Sequence, residues 1–241
     1  MPGSRDFNGT TDDIRFALTS TNPARAVTQL LVVDLDAVGS DTYLSASGYD
    51  PELGRDFNVL YYRSAGTVSY GTSATSPTAG AWQVIAVTKA AGTVRPRFHR
   101  VVIGGAAAHE DGTVALGDVA AGAPWVVGGD GDQGAWQLDG RCAAWATFDR
   151  VLTDGEIEGC TTWAAIVALS PLDGGVRLDG SPPFTRQTAI NGTVHSAAEP
   201  SGFWPPAAAT VHLHDGSRAV PATVWVHDGS GAAAAGVTIA G

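Results

Sequence analysis

Short apolar runs, each closed by turn residues, recur along almost the whole chain and leave little room for helices. "IRFAL" (14–18) alternates, and "AVTQLLVVDLD" (26–36) is β-branched and nearly continuous, as a central strand should be. "FNVLYYR" (57–63), "AWQVIAVTK" (81–89), "RFHRVVIGG" (97–105) and "APWVVGG" (123–129) follow, parted by clusters such as "YGTSATSPTAG" (70–80). Such runs, with no helices alternating between them, specify antiparallel pairing rather than a parallel sheet. The 31 glycines and 13 prolines supply the turns. With 44% hydrophobic residues and seven Trp among 241 residues, the chain can fill one full core. The expected fold is all-β, an antiparallel sandwich.

One segment breaks the pattern. "WQLDGRCAAWATFDRVLTDGEIEGCTTW" (136–163) begins as an alternating strand and then opens like a helix at Thr153. Thr153 and Glu156 stand at capping-box spacing, and Asp154 puts negative charge where the helix dipole favours it. Ile157, Cys160, Ala164 and Val167 fall at helical spacing, and Pro171 ends the segment. One helix over 153–168 is expected, packed against an edge or end of the sandwich. Cys142 and Cys160 are too few for a disulfide framework. They read as small buried apolar residues, with a strand-to-helix bridge as the alternative.

The net charge of −10, with no Lys/Arg cluster, disfavours nucleic acid as a partner. No apolar run reaches membrane-span length, and no signal-peptide pattern opens "MPGSRDFNGT". Synthesis in a cytoplasm is expected. At the other end, "ATVHLHDGS" (209–217) returns as "ATVWVHDGS" (222–230), an internal repeat of period 13 whose units end in Asp-Gly. The division expected is a sandwich over 1–205 and a C-terminal β-arm over 206–241.

The opening stretch also carries a resemblance. Trp136, Leu138, Asp139 and Gly140, then Phe148, Arg150, Leu152, Thr153, Asp154, Glu156 and Ile157, resemble the end of a laminin-G-like domain. "RDFNGTTDDIRF" (5–16) is similar to that family's opening strand pair, "AWQVIAVTK" to its central strand, and "PWVVGGDGDQGAWQLDG" (124–140) to its glycine-rich strand and loop. The resemblance covers residues 5–168 and departs over 93–117, where the family often has an Asp-Gly hairpin. It implies a concanavalin A-like jelly roll in which the late helix is a connector. Separately, "DGSPPFTRQTAINGTVHSAAEPSGF" (179–203) resembles the piece that follows laminin-G-like domains in tail proteins of actinobacterial phages, through Asn191, Gly192, Thr193, His195, Pro200, Gly202 and Phe203. That implies a virion minor tail protein, assembled in the bacterial cytoplasm. Its partners would be other tail proteins through the arm, further copies of itself, and host glycan. A capsid decoration protein and a bacterial lectin-like module remain the alternatives.

The chemistry agrees with a non-enzyme. The paired carboxylates of a jelly-roll glucanase strand do not occur, and "DGEIEG" (154–159) lies on the capped helix. Asp130 and Asp132 in "GGDGDQG" offer alternate oxygen donors, as a calcium loop or as a plain polar loop. His212, His214 and His227 recur in the arm, as ligands across strands or as half-exposed strand residues, the latter preferred. Tyr43, Tyr49, Tyr61 and Tyr62 are the candidates for stacking on sugar rings. No catalytic, cofactor-binding or metal-binding residue is assigned, and no cofactor is expected.

Overall fold

The structure is a computed structural model that describes residues 4–17, 26–37, 39–46, 51–118, 125–129, 137–178, 187–204, 209–214 and 219–224. Its strands are β1 (Ser4–Asn8), β2 (Asp13–Phe16), β3 (Val27–Leu35), β4 (Asp41–Ala46), β5 (Glu52–Asp56), β6 (Val59–Ser64) and β7 (Thr67–Tyr70). They continue with β8 (Gln83–Lys89), β9 (Arg97–Val102), β10 (Ala107–Asp111), β11 (Trp125–Val127), β12 (Asp139–Phe148) and β13 (Val176–Arg177). Last come β14 (Gln187–Asn191), β15 (Val194–Ser196), β16 (Ala209–His214) and β17 (Ala219–Val224). Two short helices, α1 (Asp154–Gly159) and α2 (Trp163–Ala168), lie between β12 and β13.

One sheet runs β10-β9-β8-β3-β12-β1-β15, with β13 also on β12, and the other runs β14-β2-β11-β4-β5-β6-β7. The named strands of the described residues pair antiparallel, as the turn-punctuated runs require, with isolated parallel bridges at Leu35–Ala79 and Thr42–Gln137. Phe7, Phe16, Leu31, Val33, Tyr43, Leu53, Tyr62, Ile85, Trp125 and Trp145 meet between the sheets. The segment 187–196 extends both sheets at once, β14 along β2 and β15 along β1.

The continuous run of β3 has a direct cause. Leu31 and Val33 face the inter-sheet core, while Leu30 and Val32 belong to a second apolar cluster on the other side of the same sheet. Val84, Ala86, Phe148, Leu152, Ile157, Cys160, Ile166, Phe203 and Trp204 complete that cluster. A central strand covered on both faces is apolar at every position. The late helical segment therefore lies on an outer sheet face, rather than at the edge or end of the sandwich expected from its sequence, because that face is as apolar as the core.

The capping box forms as read: Glu156 N donates to Thr153 Oγ1 at 3.2 Å and Thr153 N donates to Glu156 Oε2 at 2.8 Å. It contributes about 1 kcal/mol. The helix does not run unbroken to 168. It stops at Gly159 and restarts after Thr162, whose hydroxyl caps Ala165 N at 3.2 Å. The break changes the phase of the apolar stripe. Ile157, Cys160 and Ile166 are buried, whereas Ala164 and Val167 are exposed. Cys142 and Cys160 are free, buried, and in different apolar clusters.

In the C-terminal segment β16 pairs with β17, Ala209 opposite Val224 and His214 opposite Ala219. The partner strand thus begins ahead of the second repeat unit. No helix among the described residues is long and apolar enough to cross a membrane.

Candidate functional site

Strand register builds one polar group on each sheet. On the seven-stranded sheet Tyr62 packs into the core, so its neighbour Tyr61 takes the outer face. Tyr61 stands opposite Gly54 on one side and Tyr70 on the other. A Cβ at Gly54 would meet the Asp41 carbonyl oxygen at 2.5 Å and Tyr61 Oη at 2.6 Å, so only glycine lets the phenol lie across β5. Tyr61 Oη donates to Glu52 Oε1 at 2.5 Å, and Thr42 Oγ1 donates to the same oxygen at 2.7 Å. Arg63 Nη1, opposite Glu52 in register, forms an ion pair with its other oxygen at 3.1 Å.

Glu52 and Tyr61 are buried, while Arg63 and Tyr70 are each more than a third exposed. The Tyr61 and Tyr70 ring centroids lie 6.3 Å apart. Burial, reinforced by the Glu52 charge, pushes the Tyr61 phenol well above its ordinary range. It stays a protonated donor and not a nucleophile. Both Glu52 oxygens already face partners. This is a polar platform with an aromatic ring and a guanidinium at its open side.

The second group lies on the β9–β10 hairpin, at the edge of the eight-stranded sheet. The turn between Val102 and Ala107 sets His99 directly opposite His109, with Nδ1 atoms 2.9 Å apart. His99 is fully buried and its Nε2 lies 3.0 Å from Thr88 Oγ1. His109 Nε2 lies 2.8 Å from Glu158 Oε1 on α1. Asp154, in the first turn of α1, approaches His99 Nδ1 to 3.6 Å and accepts from Arg97 Nε at 2.8 Å and Nη2 at 2.6 Å. Arg97 also bonds Asp111 Oδ1 at 2.8 Å. Burial, helped by the His109 ring, pushes the His99 imidazole down to about 4, so it is neutral near pH 7. The Arg97 hydrogen bonds hold the Asp154 carboxyl below its usual range. The candidate donor atoms of His99, His109 and Asp154 all lie within 4.8 Å of one another.

Of the tyrosines expected to stack on sugars, Tyr43 and Tyr62 are core residues, and Tyr61 stays out of the inter-sheet core. Tyr49 lies outside the described residues, as do Asp130, Asp132, Trp136 and His227. His212 and His214 fall within β16. Tyr70, Glu52 and the His99–His109–Asp154 group carry no sequence motif that marks them. A cleft lined by Trp82, Ile103, Thr161 and Thr162 opens beside the α1–α2 link, and no charged side chain lines it.

No family model and no curated sequence matches the chain. In three dimensions it is similar to the native heptameric SAP-like pentraxin of Limulus polyphemus, with a TM-score of 0.56 at 10% identity over 83% of this chain and 97% of that one. It is also similar to a candidate carbohydrate binding protein from Bacteroides ovatus, with a TM-score of 0.53 at 14% identity over 82% of this chain and 60% of that one. The enzymatically active domain of tailspike protein 2 from bacteriophage CBA120 gives 0.50 at 14% identity, over 70% of this chain and 29% of that one. The chain is a jelly roll. At these identities the likeness is one of fold, and the jelly-roll expectation drawn from the laminin-G-like motifs holds at that level.

Proposed function

We propose that the chain is a non-enzymatic, glycan-contacting module of a phage tail, a minor tail protein joined to other tail proteins and to further copies of itself through residues 206–241. The observation that carries this is that Tyr70, with its ring by Tyr61, and Arg63, paired with Glu52, both stand at the open side of the Glu52–Tyr61–Thr42 platform. An exposed ring beside a guanidinium can stack on the apolar face of a sugar and donate to its hydroxyls. Arg63 is held by Glu52 and the Tyr70 ring packs beside Tyr61, which limits the side-chain entropy lost on binding. Similarity to a candidate carbohydrate binding protein and to a phage tailspike domain supports the same reading. So does the phage-tail resemblance of Asn191–Phe203.

The test is retardation of the purified protein in gels containing mycobacterial or related wall polysaccharide. The full chain is expected to be retarded and to release no reducing sugar. Tyr70→Ala should weaken retention about tenfold, about 1.4 kcal/mol. Retention unchanged in Tyr70→Ala and Arg63→Ala alike would place contact elsewhere. Sugar release abolished by Glu52→Gln would make the protein an enzyme.

The arm is tested in the particle. A two-stranded hairpin is at best marginal alone and offers unpaired backbone edges to a neighbour. Deleting 207–241 should leave a folded sandwich that no longer enters virions. Normal incorporation, or loss of the sandwich itself, contradicts an assembly role.

A further inference from the structure

We propose that His99, His109 and Asp154 form a binding site for a divalent late transition metal, zinc being the natural probe, which ties the edge hairpin β9–β10 to helix α1.

The partners of the two rings constrain their hydrogens. The Glu158 carboxylate only accepts, so His109 Nε2 carries a hydrogen and donates to it. Of the two facing Nδ1 atoms, 2.9 Å apart, one donates and the other accepts, and His99 Nε2 meets the Thr88 hydroxyl, which can donate or accept. Zinc bonds of about 2.0–2.1 Å in tetrahedral geometry set two ligand nitrogens roughly 3.3 Å apart. The rings therefore need to open by only about 0.4 Å. With a metal on the two Nδ1 atoms, the remaining hydrogen of His99 sits on Nε2, where Thr88 Oγ1 accepts it.

The surroundings match what a metal site needs. The non-ligating nitrogen of His109 is held by a carboxylate and that of His99 by a hydroxyl, which fixes ring orientation and raises basicity. Arg97 orients the Asp154 carboxylate while leaving a lone pair on each oxygen. Around the rings Asp154, Asp111 and Glu158 oppose the single charge of Arg97, so a dication meets local negative excess. The Asp154 side chain is 40% exposed, which leaves a fourth position open to water. β10 is the outermost strand of its sheet, and a metal shared with α1 would brace that edge.

The experiment is zinc titration of full-length protein stripped with chelator, read by calorimetry and by thermal unfolding, with cobalt as a spectroscopic substitute. One zinc should bind at this site. The unfolding midpoint should rise by roughly 5–10 °C at zinc a hundredfold above Kd. Cobalt should give the intense visible bands of a tetrahedral site. His109→Gln and Asp154→Asn should each remove that equivalent and the cobalt bands. Glu158→Gln should weaken zinc about 10- to 100-fold. A triple His212→Gln, His214→Gln, His227→Gln chain should retain it. The proposal falls if wild type and His109→Gln bind alike, or if the triple arm variant loses the site. Circular dichroism distinguishes a misfolded His109→Gln, in which case Glu158→Gln decides: unchanged affinity there overturns the proposal.

Discussion

Replacing Asp41 with Ala is expected to destabilise the protein by about 3–5 kcal/mol. Arg55 is fully buried, and among the described residues its guanidinium bonds Asp41 and the Ala37 carbonyl, the latter at 2.9 Å. Its Nε and Nη1 are buried without acceptors. Burial raises the Asp41 carboxyl even against the pull of Arg55, so the pair is not a net source of stability. Removing one member is a different matter, because it strands a charge that water cannot reach. The loss is a large part of the roughly 5–15 kcal/mol that holds an ordinary domain. Guanidinium unfolding of Asp41→Ala measures it. The double variant Asp41→Leu, Arg55→Met should recover most of the loss. Equal destabilisation by single and double variants would show that shape, and not the stranded charge, sets the cost.

The same pair shows why part of the fold was hidden in the sequence. "ELGRD" in β5 carries no strand signal of its own, since glycine and charged residues are poor strand formers. It becomes a strand because Glu52 and Arg55 each find a partner across the register, Arg63 and Asp41. Pairing supplied by other strands overrides local propensity, and no window of β5 alone contains it. β3 and β8 were legible for the opposite reason: their apolar content is their own. The late helix was legible at its start, where Thr153 and Glu156 lie three residues apart. Its break was also written, in the second cap at Thr162, but a stripe counted at uniform helical spacing runs straight through it.

The histidine group required one step more. His99 and His109 are ten positions apart, and the carboxylates next to His109 in sequence, Glu110 and Asp111, turn instead to Thr72, Thr75 and Arg97. Placing the turn at Gly104 and Gly105 would have paired them, since residues equidistant from a hairpin turn face each other. Asp154 enters only through the packing of α1 on that sheet, which periodicity does not encode. For the tyrosines, alternation says that Tyr61 and Tyr62 take opposite faces but not which face is the core. Leu53 and Leu60 settle that by siding with Tyr62.

Trp145 is where the largest single loss from the core is expected. It is fully buried, 5.4 Å from Phe16 and 5.9 Å from Trp125 by ring centroids, so it joins β12 of one sheet to β2 and β11 of the other. Both contacts are tilted, the arrangement that ring quadrupoles favour. Truncation to Ala removes the shared member of both pairs and leaves a void that neighbouring strands, fixed by their ladders, do not collapse to fill. The expected cost is about 3–5 kcal/mol. Trp145→Phe separates packing from polarity. The indole Nε1 is buried without an acceptor, so Phe loses some volume but also removes an unsatisfied donor. Its cost should be less than half that of Ala. Chemical unfolding followed by far-ultraviolet circular dichroism, which does not depend on the tryptophan itself, measures both. If Trp145→Phe were as damaging as Trp145→Ala, the indole nitrogen would have a partner that holds the two sheets together, and the aromatic contacts would not be what carries this part of the core.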